Sequence, residues 1–253
     1  MILLLGGTSE TKGIALALAQ TGAKVLASTA TDNELDVGTH ENIVRRRGRL
    51  TEEEMISLIK ENGATMVVDS THPFAVVAHE TARSAAKKAG VRYIRFERPG
   101  SEYGSDAVVR AEDHGSAARL AFSFGKPVLL TTGSRNLLPY VEESRRTGVP
   151  VIARVLPHAE SLVACKNAGI PESSVITGRG PFTVEENLDV IRKFSIGVLV
   201  TKDSGQPGGV PEKIIAAERS SCRVVMVKRP DASASSVESI ERLLEEIVKA
   251  VEI

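Results

Sequence analysis

The sequence predicts an α/β protein made of two doubly wound, mainly parallel Rossmann-like domains with an interdomain crevice. Three observations carry that expectation. Short β-rich runs alternate with helical ones along all 253 residues, the pattern of βα units on a parallel sheet. The candidate strands number eleven, which is many for one open sheet and suits two. Several of them end in turns rich in glycine and hydroxyl groups, at the carboxyl ends where such sheets bind ligands. The expected domains are 1–125, with a dinucleotide phosphate turn, and 126–253, with substrate and cofactor loops, joined near Gly125-Lys126-Pro127.

In chain order, strands are expected at Ile2–Gly6, Lys24–Thr29, Ile43–Arg47, Thr65–Ser70, Arg92–Phe96 and Val108–Arg110, then at Val128–Thr132, Val151–Val155, Val175–Thr177, Gly197–Thr201 and Arg223–Val227. Each is a short run of β-branched and aliphatic residues bounded by turn formers. Helices are expected at Glu10–Thr21, Thr51–Asn62, Pro73–Ala89, Asp113–Phe124, Leu137–Thr147, Ala159–Ala168, Thr183–Phe194, Pro211–Ser220 and Ser236–Val251. In the last, Val237, Ile240, Leu244, Ile247 and Val251 follow helical spacing, and Ser235 with Glu238 reads as a capping box. Ala232–Ser236 before it reads as a small-residue loop.

Composition narrows the function. Lys plus Arg equals Asp plus Glu at 32 each, so no global field points to nucleic acid or an anionic membrane, and anion recognition must be local. The apolar runs are strand-sized and no charged leader precedes Ile2-Leu3-Leu4-Leu5, so neither a membrane span nor a secretory signal is expected and the expected compartment is the cytoplasm. Cys165 and Cys222 stand alone, outside any metal-ligand spacing, and read as small buried residues with no metal and no disulfide framework.

The turn Gly6-Gly7-Thr8-Ser9-Glu10 sits between the first strand and the first helix. There the backbone approaches a phosphate at the positive end of a helix, although the glycine spacing departs from GxGxxG and Ser9 as a plain N-cap is the competing reading. Where a ribose-binding acid would stand, the second strand ends in Ser28-Thr29-Ala30-Thr31, which leaves NADPH and NADH both open. Arg45-Arg46-Arg47-Gly48-Arg49 is either an anion site or a solvated strand end. The stretch DSTHPFA (Asp69–Ala75) breaks a buried-looking strand with Ser70, Thr71 and His72, and Pro73 suits the first position of a helix.

Four later strands empty into TTGSR (Thr131–Arg135), RVLP (Arg154–Pro157), TGRGPF (Thr177–Phe182) and TKDSG (Thr201–Gly205). Arg135, Arg154, Arg179 and Lys202 would thus converge on one mouth, a set suited to a polyanionic ligand. No P-loop, no GxSxG elbow and no Tyr-xxx-Lys pair at Tyr93, Tyr103 or Tyr140 occurs, so hydrolase and short-chain dehydrogenase chemistry lacks its residues.

Taken jointly, LLLGGTSE (Leu3–Glu10), DSTHPFA, RFERP (Arg95–Pro99), LLTTGSRNL (Leu129–Leu137), ARVLP (Ala153–Pro157), ITGRGPFTVEENL (Ile176–Leu188) and VTKDSGQPGGVPEKI (Val200–Ile214) closely resemble the precorrin-6A reductase family and its cobalt-precorrin-6A counterparts. The resemblance implies reduction of one carbon–carbon double bond of a corrin precursor, in cobalamin biosynthesis, with NADPH or NADH and without flavin or metal. The implied partner is the tetrapyrrole, with no nucleic acid or membrane and with room for channelling to other pathway enzymes. It further implies that Gly6, Gly7, Thr8, Ser9, Glu10, Thr29, Ser70 and Thr71 serve the cofactor, with His72 as candidate catalytic residue. Arg135, Arg154, Arg179, Gly180, Phe182, Lys202, Ser204 and Gly205 would face the substrate, with Phe182, and beyond it Phe74 and Tyr103, as stacking candidates. An acid at Asp203 is awkward opposite a polycarboxylate, and is expected to orient Lys202 or cap the next helix. Another NAD(P)-dependent oxidoreductase or epimerase, or a non-catalytic dinucleotide sensor, remains the alternative.

Overall fold

The computed structural model describes residues 1–30, 35–97, 105–230 and 236–251, apart from the side chains at 207, 250 and 251. Thr31, Arg98, Pro99, Tyr103 and Ser235, with most of the expected 232–236 loop, lie outside the described residues. The first sheet contains β1 (Ile2–Gly6), β2 (Val25–Thr29), β3 (Ile43–Arg47), β4 (Met66–Asp69) and β5 (Arg92–Phe96). The second contains β6 (Val108–Ala111), β7 (Val128–Leu130), β8 (Val151–Val155), β9 (Val175–Thr177), β10 (Val198–Lys202) and β11 (Arg223–Val227). A short β12 (Ser236–Val237) returns to the first sheet.

Both sheets are parallel at every described pairing, with orders β12-β5-β4-β1-β2-β3 and β6-β11-β10-β7-β8-β9. Each is therefore a doubly wound Rossmann-like sheet, as expected from the alternation of elements. The expected boundary at 125 is corrected. The chain divides into one compact unit of Met1–Pro99 with Pro230–Ile253 and another of Gly100–Arg229. The reason is visible in the pairing: β6 lies beside β11 in the second sheet, and β12 lies beside β5 in the first.

Helices α1 (Thr11–Gln20), α2 (Glu52–Glu61), α3 (Val76–Ala89), α4 (His114–Ser123), α5 (Leu138–Thr147), α6 (Ala159–Ala168), α7 (Val184–Lys193), α8 (Val210–Arg219) and α9 (Ile240–Val251) alternate with the strands. Alternate residues of each buried strand face opposite layers. Leu4 and Val68 pack with Ile14 and Leu18 of α1 and with Leu243 and Ile247 of α9. Their neighbours Leu3, Leu5 and Val67 pack with Met55 and Ile59 of α2 and with Ala82, Ala85 and Ala86 of α3. In the second unit Leu129, Leu199 and Met226 pack with Leu188 and Ile191 of α7 and Ile214 of α8.

Two expected helix starts move. Ser236 and Val237 pair with Arg95 and Phe96 as a strand instead of opening the last helix; that helix begins at Ile240, with Ser239 Oγ accepting from Arg242 N at 3.2 Å. Pro73 is not the first helical residue either, because Ala75 N donates to His72 O in a tight turn and α3 starts at Val76. Cys165 and Cys222 are free and buried, and no described helix is long and apolar enough to cross a membrane. Leu243 is fully buried in the first unit's core, so Leu243→Ala is expected to cost about 2–5 kcal/mol. Urea unfolding followed by circular dichroism checks this, and a loss below about 0.5 kcal/mol would detach α9 from that core.

Candidate functional site

In an open α/β sheet, ligands bind where the strand order reverses, because neighbouring crossovers leave on opposite faces and open a cleft at the carboxyl ends. In the first unit that point lies between β1 and β4, and in the second between β7 and β10. The turns after these strands are Gly6–Glu10, Ser70–Ala75, Thr131–Arg135 and Asp203–Gly205, so most of the predicted site residues stand at the two switch points.

At the first switch point, Gly6 is dictated by a close approach, since a Cβ there would stand 2.5 Å from Thr11 Cγ2. The Thr11 hydroxyl shapes the turn by accepting from Gly7 N at 3.2 Å and Thr8 N at 3.3 Å. Thr8 Oγ1 donates to Ser70 O at 3.0 Å, tying the two turns together. Ser9 does not cap the helix; Glu10 is the N-cap residue, without a side-chain cap bond, and its carboxylate accepts from Ser9 Oγ. Around Gly7 the backbone is open, the nearest atom to an added Cβ being Thr71 Cα at 3.9 Å. The residues fit a dinucleotide phosphate on the open side at Gly7, where no side chain lies within 4 Å of an added Cβ, and the first-turn N–H groups of α1 lack intrahelical partners. Ser70 and Thr29 are placed differently from a ligand-facing hydroxyl. Ser70 is buried with its Oγ donating to Leu5 O at 2.9 Å, and Thr29 is buried with its carbonyl accepting from Gly48 N. Arg46, in the arginine run, donates to Gly48 O at 2.5 Å and to Ser28 Oγ at 3.4 Å.

Beside this turn lies a polar network unassigned in the sequence reading. Asp69, fully buried at the end of β4, pairs with Arg95 Nη1 at 2.9 Å, with both side chains 4% exposed or less. Its Oδ1 also accepts from Thr71 N at 2.9 Å and Thr71 Oγ1 at 2.7 Å, and its Oδ2 from Tyr93 OH at 2.7 Å. Burial and the Asp69 charge push the Tyr93 phenol far up. Because Thr71 gives its hydroxyl proton to Asp69, it presents an acceptor. His72 Nδ1 accepts from Phe74 N at 3.3 Å, which leaves the donor of the neutral ring at Nε2. His79 Nε2 donates to His72 O at 3.1 Å, and burial lowers its pKa. The signal for the ion pair was register: Asp69 and Arg95 sit opposite each other on β4 and β5.

At the second switch point, the Lys202 ammonium is lowered to about 8, first by burial and then by Arg135. His114, at the start of α4, is lowered to about 4 by burial and by Lys202, and shares a 2.8 Å hydrogen bond with Tyr140. Arg154 is 5% exposed; its Nη2 donates to Asn187 Oδ1 at 2.7 Å and its guanidinium lies 4.1 Å from the centre of the Phe182 ring. Phe182 thus stacks on Arg154. Lys213 of α8, also missed from sequence, is buried, donates to Gly208 O at 2.9 Å, and is lowered to about 8. Ser204 is buried against Gly208, where a Cβ would collide with its hydroxyl. Gly205, at φ 72° and ψ −176°, holds a conformation only glycine adopts readily. Asp203 neither orients Lys202 nor caps α8: its carbonyl accepts from Arg229 Nε at 2.7 Å and its carboxylate lies 3.6 Å from Arg229 and 3.7 Å from Arg110. Arg135, Arg179 and Gly180 are exposed at the surface of this unit. Among the described residues no group of three His, Cys, Asp or Glu side chains is placed to hold a metal.

Two parallel sheets with a glycine turn at one switch point and a cationic cluster at the other define a Rossmann-like α/β protein with a nucleotide-type turn. The family model "Precorrin-6x reductase CbiJ/CobK" matches residues 1–248, and the chain belongs to that family of oxidoreductases. It is 33% identical to "Cobalt-precorrin-6A reductase" of Priestia megaterium over 99% of this chain and 98% of that one. It is 30% identical to "Precorrin-6A reductase" of Rhodococcus erythropolis over 90% of this chain and 89% of that one. The solved structure "CobK precorrin-6A reductase" shares the fold, with a TM-score of 0.78 and 24% identity over 98% of this chain and 96% of the other.

Two outcomes follow. Asp69→Asn leaves Arg95 buried without its anion and is expected to cost about 3–5 kcal/mol in urea unfolding; an unchanged midpoint would mean that the pair is solvated. The folded protein keeps His114 neutral down to pH about 4, whereas the unfolded chain gains a proton near pH 6.5. Stability is therefore full above pH 7 and falls between pH 6.5 and 4, by about 1–2 kcal/mol after solvent screening. His114→Gln should lose less stability than the parent between pH 7.5 and 4.5, and parallel losses would remove His114 as a source.

Proposed function

We propose that this chain reduces one carbon–carbon double bond of the precorrin-6A macrocycle, or of its cobalt form, on the way to cobalamin. The observation that carries the reading is the match to the reductase family over residues 1–248, in a chain with an open glycine turn after β1 and with cations buried at Arg154 and Lys213 of the second unit. A corrin precursor is a flat ring edged with carboxylates, so its site needs several Arg or Lys groups. Arg135, Arg154, Arg179 and Lys202 supply them, with Gly180, Ser204 and Gly205 permitting close approach and Phe182 an apolar side.

A nicotinamide dinucleotide, NADPH or NADH, supplies the hydride when bound. Gly6 to Glu10 receive its phosphates in this reading, Thr71 offers a fixed acceptor, and His72 offers a donor from Nε2. The Asp69–Arg95 pair holds Thr71 in place, and His79 holds the His72 carbonyl. His72 can serve as proton donor only by giving up its bond from Phe74 N, because the imidazolium has no acceptor at Nδ1. The proposed compartment is the cytoplasm, and hand-over of the macrocycle to other pathway enzymes is part of the same reading.

Anaerobic incubation with precorrin-6A and with cobalt-precorrin-6A, each with NADPH or NADH, tests the proposal by visible absorption. Loss of the substrate spectrum, dependent on one cofactor, is expected. A folded protein that binds dinucleotide and leaves both spectra unaltered would refute the reductase reading and favour a dinucleotide sensor.

A further inference from the structure

The second unit contains two buried cations whose partners do not account for their charge. Arg154, in β8, is 5% exposed and Lys213, in the first turn of α8, is 7% exposed. Among the described residues neither is in an ion pair: Arg154 Nη2 donates to the neutral Asn187 Oδ1 and Lys213 Nζ to the Gly208 carbonyl. Arg154 Nη1 is buried without any acceptor.

The two residues are linked through the segments at Pro181–Phe182 and Gly208–Gly209. The Phe182 ring lies on the Arg154 guanidinium. Its neighbour Pro181 stands 3.3 Å from the place of a Cβ on Gly209, and the preceding Gly208 holds Lys213. Acidic groups are near but do not neutralise the pair. Glu186 is spent on the capping box of α7, where it accepts from Thr183 N and Oγ1. Glu212 raises Lys213, but burial and then Arg154 lower it by more, and Lys202 adds to them.

Burying a cation without an anion costs several kcal/mol. A structural role at Lys213 would be met by a neutral side chain, since methionine would fill its volume. The arrangement is that of a site preorganised for a negative charge.

We propose that Arg154 Nη1 and Lys213 Nζ form an oxyanion subsite, with Phe182 as its apolar side, that receives a single carboxylate or phosphate group of a ligand. The proposal rests on the reductase reading for its two sources of that group, a side-chain carboxylate of the macrocycle and the pyrophosphate of the dinucleotide. Lys213, which the motif-based assignment omits, then becomes a binding residue.

Lys213→Met and Arg154→Met in the full chain, checked for folding by circular dichroism, would be titrated separately with cobalt-precorrin-6A by absorbance and with NADPH and NADH by nicotinamide fluorescence. At least a tenfold rise in Kd is expected in both variants for one ligand class, largely restored in Lys213→Arg. A rise for the macrocycle assigns a carboxylate, and a rise for the dinucleotide assigns a phosphate. Unchanged constants in every titration overturn the subsite while leaving the reductase reading standing wherever the parent protein turns over. Absent turnover in the parent sinks that reading and leaves the titrations to decide the subsite. Hydrogen exchange on the parent protein guards against variants that do not fold: segments 178–182 and 208–213 should slow with one ligand class, and no slowing with either overturns the proposal.

Discussion

The structure depends on one topological constraint. Parallel strands must be joined by crossovers, and in a doubly wound sheet the crossovers to the two sides of the first strand leave on opposite faces. Between β1 and β4, and again between β7 and β10, two adjacent carboxyl ends are therefore left uncovered by a connection. Backbone N–H groups and helix starts collect there. The glycine turn with Thr11 stands at one, and Lys202, His114 and the Gly205 loop stand at the other.

The two units hold buried charge in different ways. In the first unit an acid is buried, and Asp69 is compensated by Arg95, Tyr93 and Thr71 in a network that fixes a loop, with Arg95 Nη2 left without an acceptor. In the second unit Asp203 lies beside Arg229 and Arg110, whereas the buried cations Arg154 and Lys213 have neutral partners. Breaking a closed network costs stability at once, whereas an open cationic set carries its cost until an anion arrives.

What the sequence made legible, and what it hid, divides along the same line. Turns such as GGTSE and TKDSG were readable because residue types with special backbone demands cluster at strand ends, where their position implies a role. The domain boundary was not readable, because β6 and β12 each pair with a strand far from their neighbours in sequence. Ser236 and Val237 fit a helical period and were claimed by it, although two residues suffice to extend a sheet edge. Asp69 and Arg95 are 26 residues apart and meet only through strand register. Lys213 sits in an amphipathic helix where a lysine ordinarily faces water, and only packing reveals that this one does not.

Phe182, a stacking candidate from sequence, has a partner within the protein. An aromatic beside a glycine-rich turn suggests stacking on a flat ligand, but its ring faces the Arg154 guanidinium at 4.1 Å. A cation on an aromatic face is attracted by the ring quadrupole and shielded from water by it. Shielding strengthens whatever charge interaction the guanidinium later makes, since the local dielectric falls. Asn187 holds the other side of the same group through a side chain that is itself anchored to Thr183 O at 2.7 Å. Arg154 is thus gripped on its face and at one nitrogen and left bare at the other, and a group held this rigidly loses little entropy when an oxyanion completes it.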